Sequence, residues 1–134
     1  MVRRFSLHVP YALDVGVMQA ATEALVGERD FATFGQPPQG SETVRQVFRA
    51  GWRRDEVRRG PFSSDLADGV MVTFDIEANA FLYRMVRSLV GTLLDVGQGR
   101  MTVSGFKDAL AAGERNEAGR TAPPQGLCLM RVTY

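Results

Sequence analysis

Between Phe74 and Gly99 the chain reads FDIEANAFLYRMVRSLVGTLLDVGQG, and the spacing of its apolar positions changes midway. The alternation up to Ile76 predicts the end of a strand, Glu77-Ala78-Asn79 a tight corner, and the remainder a long helix closed by Gly97 and Gly99. Leu82, Met85, Val86, Leu89, Val90 and Leu93 recur at i, i+3, i+4 and form one apolar stripe. Arg84, Ser88, Gly91 and Asp95 fall on the opposite side. Arg87 belongs to neither. It lies at the margin of the stripe beside Tyr83 and Leu94, where a guanidinium is partly desolvated and requires an anionic partner, because a buried charge left unpaired is strongly destabilising.

The same reading along the rest of the chain predicts six further elements. RRFSLHV (3–9) is a short strand ended by Pro10. Asp14 caps a helix over Val15–Val26, with Val15, Met18, Ala21, Ala24 and Leu25 buried and Gly27 as its stop. Glu28 to Phe31 leads into the Gly- and Pro-rich loop GQPPQGSE, which excludes regular structure. Residues 43–54 alternate: Val44, Gln46, Phe48, Ala50 and Trp52 point one way, and Arg45, Val47, Arg49, Gly51 and Arg53 the other. GVMVTFDIE forms a second alternating strand, with Val70, Val72, Phe74 and Ile76 inward, paired with the first as an antiparallel hairpin. Thr102 or Ser104 caps a helix that buries Phe106, Leu110 and Val103 and ends at Gly113. After ERNEAGRTAPPQ the chain closes in the strand GLCLMRVTY. The expected order is β-α-β-β-α-α-β, an α/β (α+β) domain with a mainly antiparallel sheet and helices on one face.

Composition sharpens this picture at three points. The 134 residues, 45% hydrophobic, form one domain with a substantial core. Fifteen arginines stand against a single lysine, Lys107, in a chain of net charge +1. Six of those arginines lie between Thr43 and Gly60, against Asp55 and Glu56, a local excess of about +4. Arginines two or four apart on one strand face fit the track of a phosphate backbone; a solvated sheet face of mixed charge fits them equally. The third point is exclusion. His8 has no Cys, His or carboxylate cluster around it and reads as a structural histidine. No metal-ligand spacing, phosphate loop, dinucleotide fingerprint or nucleophile triad occurs. Asp75 and Glu77 share one strand face and read as a solvated edge. One cysteine, no signal-peptide pattern and no membrane-length apolar run predict a cytoplasmic chain without disulfides.

Several motifs, in order, resemble one enzyme family. FLYRMVRSLVGTLLDVG is similar to the FxxHMVRxxVGxLxxVG helix of the tRNA pseudouridine synthase A family, which acts on the tRNA anticodon stem-loop. HVPYALDVGVMQAATEALVGERDFATF resembles the start of that family's C-terminal half, SETVRQVFRAGW its TVRxI strand, and RTAPPQGLCLMRVTY its TAPxxGLxLxxVxY end. The matches are colinear from about His8 to Tyr134.

The resemblance implies one lobe of the pseudouridine synthase fold, the C-terminal one, spanning 1–134. The family's catalytic aspartate sits in a GRTDxGVH-like loop of the other lobe; Gly119-Arg120-Thr121 is followed here by Ala122. Arg87 occupies the family position that pairs with that aspartate, keeping it ionised and oriented through a bidentate contact. Phe81 and Leu127 are implied to face the substrate, Leu127 as an apolar wall for the flipped base. Arg84 replaces the family's usual histidine and, with Arg45, Arg49 and Arg53, is a candidate RNA contact. Cys128 stands where an aromatic is common. The implied reaction is isomerisation of uridine to pseudouridine, with no metal or organic cofactor. The implied partners are the tRNA anticodon stem-loop, the N-terminal catalytic lobe (in the same or a separate chain) and a second copy in a homodimer, without membrane. A non-catalytic tRNA-binding or dimerisation module is the alternative reading.

Overall fold

The structure, a computed structural model, describes residues 2–9, 13–35, 42–56, 70–113 and 127–133, with side chains at 7–9, 55, 56, 70 and 127–133 excepted. Eight elements follow one another: β1 (Val2–Val9), α1 (Val15–Thr22), β2 (Gly27–Asp30), β3 (Val44–Glu56), β4 (Val70–Ala78), α2 (Met85–Gly97), α3 (Val103–Ala112) and β5 (Leu127–Thr133). A single 3-10 turn at Glu23–Leu25 extends α1. The strands form one antiparallel sheet in the order β2-β3-β4-β1-β5. The α/β class, the element order and the β3–β4 hairpin agree with the sequence pattern. The addition is β2, a short edge strand whose residues after Gly27 are exposed and polar, and which therefore carries no alternating apolar signal.

The core lies between one face of the sheet and the helices. Phe5 of β1, Val72, Phe74 and Ile76 of β4, and Ala50 and Trp52 of β3 line that face. Helix α1 is docked on β3 by Trp52, whose ring lies 5.0 Å from that of Phe74. The Trp52 indole donates to Thr22 Oγ1 at 3.0 Å, and its backbone N–H donates to Gln19 Oε1 at 2.9 Å. Asp14 caps α1 by accepting from Val17 N, and Thr102 caps α3 by accepting from Gly105 N. Phe34 stacks on Phe106 at 5.7 Å, and Thr33 Oγ1 donates to the Ala109 carbonyl, so the turn after β2 is held to α3.

Burial extends beyond the apolar stripe of α2, and the alternation expected of β3 is corrected. The side of α2 opposite its apolar stripe is not solvated: Ser88 is 0% exposed, and Gly91, Thr92 and Asp95 are buried. Helices α1 and α3 both pack against α2. At Gly97 α1 and α2 come close together: a Cβ there would meet Leu13 Cδ2 at 2.9 Å as well as the Met18 side chain. In β3, a register shift between Val47 and Arg49 breaks the alternation at Phe48. Val47 is buried, whereas Val44 and Phe48 are exposed, Phe48 by 52%. Arg45, two residues before Val47, therefore lies on the helix-covered face, and Arg49 and Arg53 on the other. The three arginines do not form one row.

Gly35 connects this packing to the chain entering α2. A Cβ at Gly35 would lie 2.7 Å from Leu82 Cβ and 2.8 Å from the Tyr83 carbonyl oxygen. Gly35→Ala is expected to destabilise the fold by about 1–3 kcal/mol, measured as a lowered urea midpoint; an unchanged midpoint would contradict this contact.

Candidate active site

The chain leaves β4 through a defined corner. The Asn79 side-chain oxygen accepts from Gln46 N at 2.9 Å, and Asn79 N donates to the Gln46 carbonyl at 3.0 Å. This double link ties the end of β4 to β3 and sets the direction of Ala80 to Arg84. Phe81 and Leu82 turn into the core. Tyr83 (68% exposed) and Arg84 turn outward. Arg84 then adopts φ 62°, ψ 9°, and is the single non-glycine residue with positive φ among the described residues. It opens α2 with no side-chain cap, its carbonyl accepting from Ser88 N at 3.0 Å. The helix thus begins at Met85, later than the apolar stripe, and Arg87 falls in its first turn.

These residues surround a cavity of about 520 Å³ lined by Arg3, Phe81, Leu82, Tyr83, Arg84, Val86 and Arg87. Three of the seven are arginines and the other four carry aliphatic or aromatic side chains. The volume falls within the range of roughly 300–1,000 Å³ common for small-molecule sites. Arg87 is half-buried at the margin of α2, as its place on the helical wheel requires. Phe81 forms part of the wall, and its ring lies beneath the Arg3 guanidinium, whose central carbon is 4.9 Å from the ring centroid.

The cavity therefore brings together Arg87, Phe81 and Arg84. Leu127 lies in β5 with its backbone opposite Leu7, four residues along β1 from Arg3, or about 13 Å of strand; its side chain is outside the described residues, as are those of His8 and Cys128. Arg45 donates to the Glu42 and Val44 carbonyls, away from this cavity. Arg49 pairs with Glu77 at 3.2 Å on the open face of the sheet, and Arg4 with Asp75 at 2.6 Å on the same face. Asp75 and Glu77 are thus paired with arginines contributed by the neighbouring strands, which sequence proximity alone did not reveal. Sequence reasoning also missed Arg3. Its signal was phase: Arg3 alternates in step with Phe5 and Leu7, so a basic residue occupies an apolar position of the strand.

Fold and cavity together define an α/β domain in which an apolar wall and three arginines line one cavity. The chain belongs to the tRNA pseudouridine synthase family, whose sequence model matches residues 21–134. It is 42% identical over 135 aligned residues to tRNA pseudouridine synthase A of Listeria welshimeri, covering 98% of this chain and 49% of that protein. It is 41% identical to the enzyme of the same name from Roseiflexus sp., over 100% of this chain and 46% of the relative, and 39% identical to that of Geotalea uraniireducens, over 100% and 50%. The chain spans about half the length of the curated relatives it matches. No helix among the described residues is long and apolar enough to cross a membrane.

A left-handed backbone is strained for any residue with a Cβ, by roughly 1–2 kcal/mol. Arg84→Gly is therefore expected to be more stable than Arg84→Ala by about 1 kcal/mol in urea unfolding. Equal midpoints for the two variants would contradict the strained geometry at the mouth of the cavity.

Proposed function

We propose that this chain forms the arginine-bearing lobe of a tRNA pseudouridine synthase acting on uridines of the anticodon stem-loop. One observation carries the reading: Arg87, at the family position that pairs with the catalytic aspartate, lines the same cavity as Phe81, at the start of α2. In this reading the domain 1–134 works against a second lobe that carries the aspartate. Arg87 fixes that carboxylate in its ionised form through charge-assisted hydrogen bonds. The aspartate attacks C1′ or takes the C2′ proton as the N1–C1′ bond breaks. The uracil turns and its C5 bonds to C1′, the aspartate being displaced from C1′ or returning the proton to C2′. C5 then loses its proton to solvent while N1 is left protonated. Phe81 and Leu127 supply apolar surface to a base that has lost its stacking. The reaction needs neither metal nor organic cofactor. The enzyme works as a cytoplasmic homodimer in this reading.

Arg84, at the rim of the cavity, contacts the RNA strand entering it. Arg49 and Arg53, on the open sheet face, carry the RNA path outward. The Arg49–Glu77 pair does not argue against this, because an exposed ion pair contributes little and exchanges readily for a phosphate. Arg45, on the other face and bonded to the Glu42 and Val44 carbonyls, is left out of this path.

Release of tritium from C5-labelled uridine in an anticodon stem-loop tests the proposal. This chain alone is expected to release none. Mixed with a purified family N-terminal lobe it is expected to release tritium, and Arg87→Ala to lower the rate by about 10²-fold or more, the equivalent of breaking a buried ion pair. Release by the chain alone, or full activity in Arg87→Ala, would overturn the reading. Silence in both mixtures, with stem-loop binding intact, would establish the non-catalytic tRNA-binding module instead.

The RNA path has its own test. Arg49→Gln and Arg53→Gln are each expected to weaken stem-loop binding and to reduce the slope of log K against log salt by about 0.7–0.9. An unchanged slope in both variants would assign this face to solvent.

A further inference from the structure

Arg3 is set apart from the other arginines by how it is held. It sits on β1 opposite Ile76 of β4, in the phase of Phe5, on the face covered by helices, whereas its neighbour Arg4 projects to the open face and pairs with Asp75. Its guanidinium lies over the Phe81 ring at 4.9 Å. A ring beneath a cation restrains it, and a guanidinium carries its N–H donors as a planar fork. The Arg3 Nε is buried and makes no hydrogen bond among the described residues, a property it shares with Arg45 Nε, which lies away from the cavity. A buried donor left unsatisfied in a folded protein calls for a partner that completes it. The same side chain lines the cavity with Arg84 and Arg87. A guanidinium seated over an aromatic ring, at the edge of a cavity with an apolar wall, has the form of a receptor for a planar or tetrahedral oxyanion.

We infer that Arg3 is a phosphate-binding residue that grips a phosphodiester adjacent to the uridine whose base enters the cavity. This rests on the function proposed above and adds to it a division of labour among the arginines. Arg87 orients the catalytic carboxylate, while Arg3 fixes the nucleotide backbone against which the base is turned. A phosphodiester fits better than a second protein carboxylate for a reason of composition. Phe81, Leu82 and Val86 offer surface to a base, and a base entering the cavity necessarily brings its own flanking phosphates. Phe81 then acts twice, as wall for the base and as platform for Arg3.

The test uses this chain and a labelled anticodon stem-loop RNA carrying a single neutral methylphosphonate at the linkage 5′ or 3′ of the target uridine. In the wild-type chain, one of the two substitutions is expected to weaken binding by about tenfold or more. Arg3→Gln is expected to weaken the unmodified RNA by a similar factor and to abolish the effect of that methylphosphonate, so the two losses are not additive. Arg3→Lys, which keeps the charge without the planar fork, restores part of the linkage dependence. Arg4→Gln, which removes a charge from the opposite face, leaves the linkage dependence intact. Equal sensitivity of Arg3→Gln and wild type to both methylphosphonates overturns the inference. So does a wild-type chain indifferent to either linkage, including one that does not bind the RNA at all. If Arg3→Gln weakens association with the N-terminal lobe and leaves linkage dependence unchanged, Arg3 pairs with a carboxylate of that lobe and the phosphate role is withdrawn. Loss of the inference with tritium release intact leaves the proposed function standing. A positive linkage cycle without tritium release supports the phosphate contact and removes the catalytic reading.

Discussion

Helix α2 is enclosed on nearly every side from Met85 to Gly97, and this enclosure decides where a charged side chain can stand along it. A segment buried against the sheet, α1 and α3 has almost no room for charge. Arg87 is tolerated because it falls in the first turn, at the margin of the stripe, where the helix opens onto a cavity. The other features of the site follow from that placement. The Asn79–Gln46 links fix how the chain leaves β4, Gly35 lets the preceding turn press against Leu82 and Tyr83, and the left-handed Arg84 switches the backbone into the helix. Each of these controls where the first turn of α2 begins, and so where Arg87 stands.

The cost of the arrangement is local and visible. Arg84 holds a conformation that L-residues avoid, and Arg3 buries a donor without a hydrogen bond. Strain and unsatisfied polarity in folded proteins concentrate where a ligand or a moving part is accommodated. Arg84 and Arg3 line one cavity, at the end of the sheet where β1 and β4 meet the start of α2. Elsewhere, Arg45 Nε and Ser88 Oγ are also buried without a hydrogen bond among the described residues. The open face of the sheet shows the contrary behaviour: its charges are paired across strands, Arg4 with Asp75 and Arg49 with Glu77.

How much of this could be read from the chain depended on the range of the interaction involved. Local signals were reliable: the stripe on α2, the caps at Asp14 and Thr102, the stop at Gly113 and the marginal place of Arg87 all follow from spacing within a few residues. The buried far side of α2 was not legible, because Ser88, Gly91 and Thr92 carry no apolar signal although the fold encloses them. The bulge at Phe48 was hidden for a similar reason. An alternating strand carries no mark of the one position where its partner's register slips, and that slip separates Arg45 from Arg49 and Arg53. The partners of Asp75 and Glu77 come from strands distant in sequence. Arg3 was readable in principle, as a charge in an apolar phase, but its meaning appears only when Phe81 is folded beneath it.

The central claim is that Arg87 meets a carboxylate supplied by a second lobe. It is tested most directly by following the Arg87 Nε–H resonance of the ¹⁵N-labelled chain while a family N-terminal lobe is added. With the aspartate-bearing lobe, the expected result is a shifted Nε–H signal protected from solvent exchange, as a bidentate charge-assisted pair requires. A lobe with that aspartate replaced by asparagine should leave the signal close to its free position. An identical shift and protection with both lobes would contradict the ion pair, and with it the assignment of Arg87 to the reacting centre.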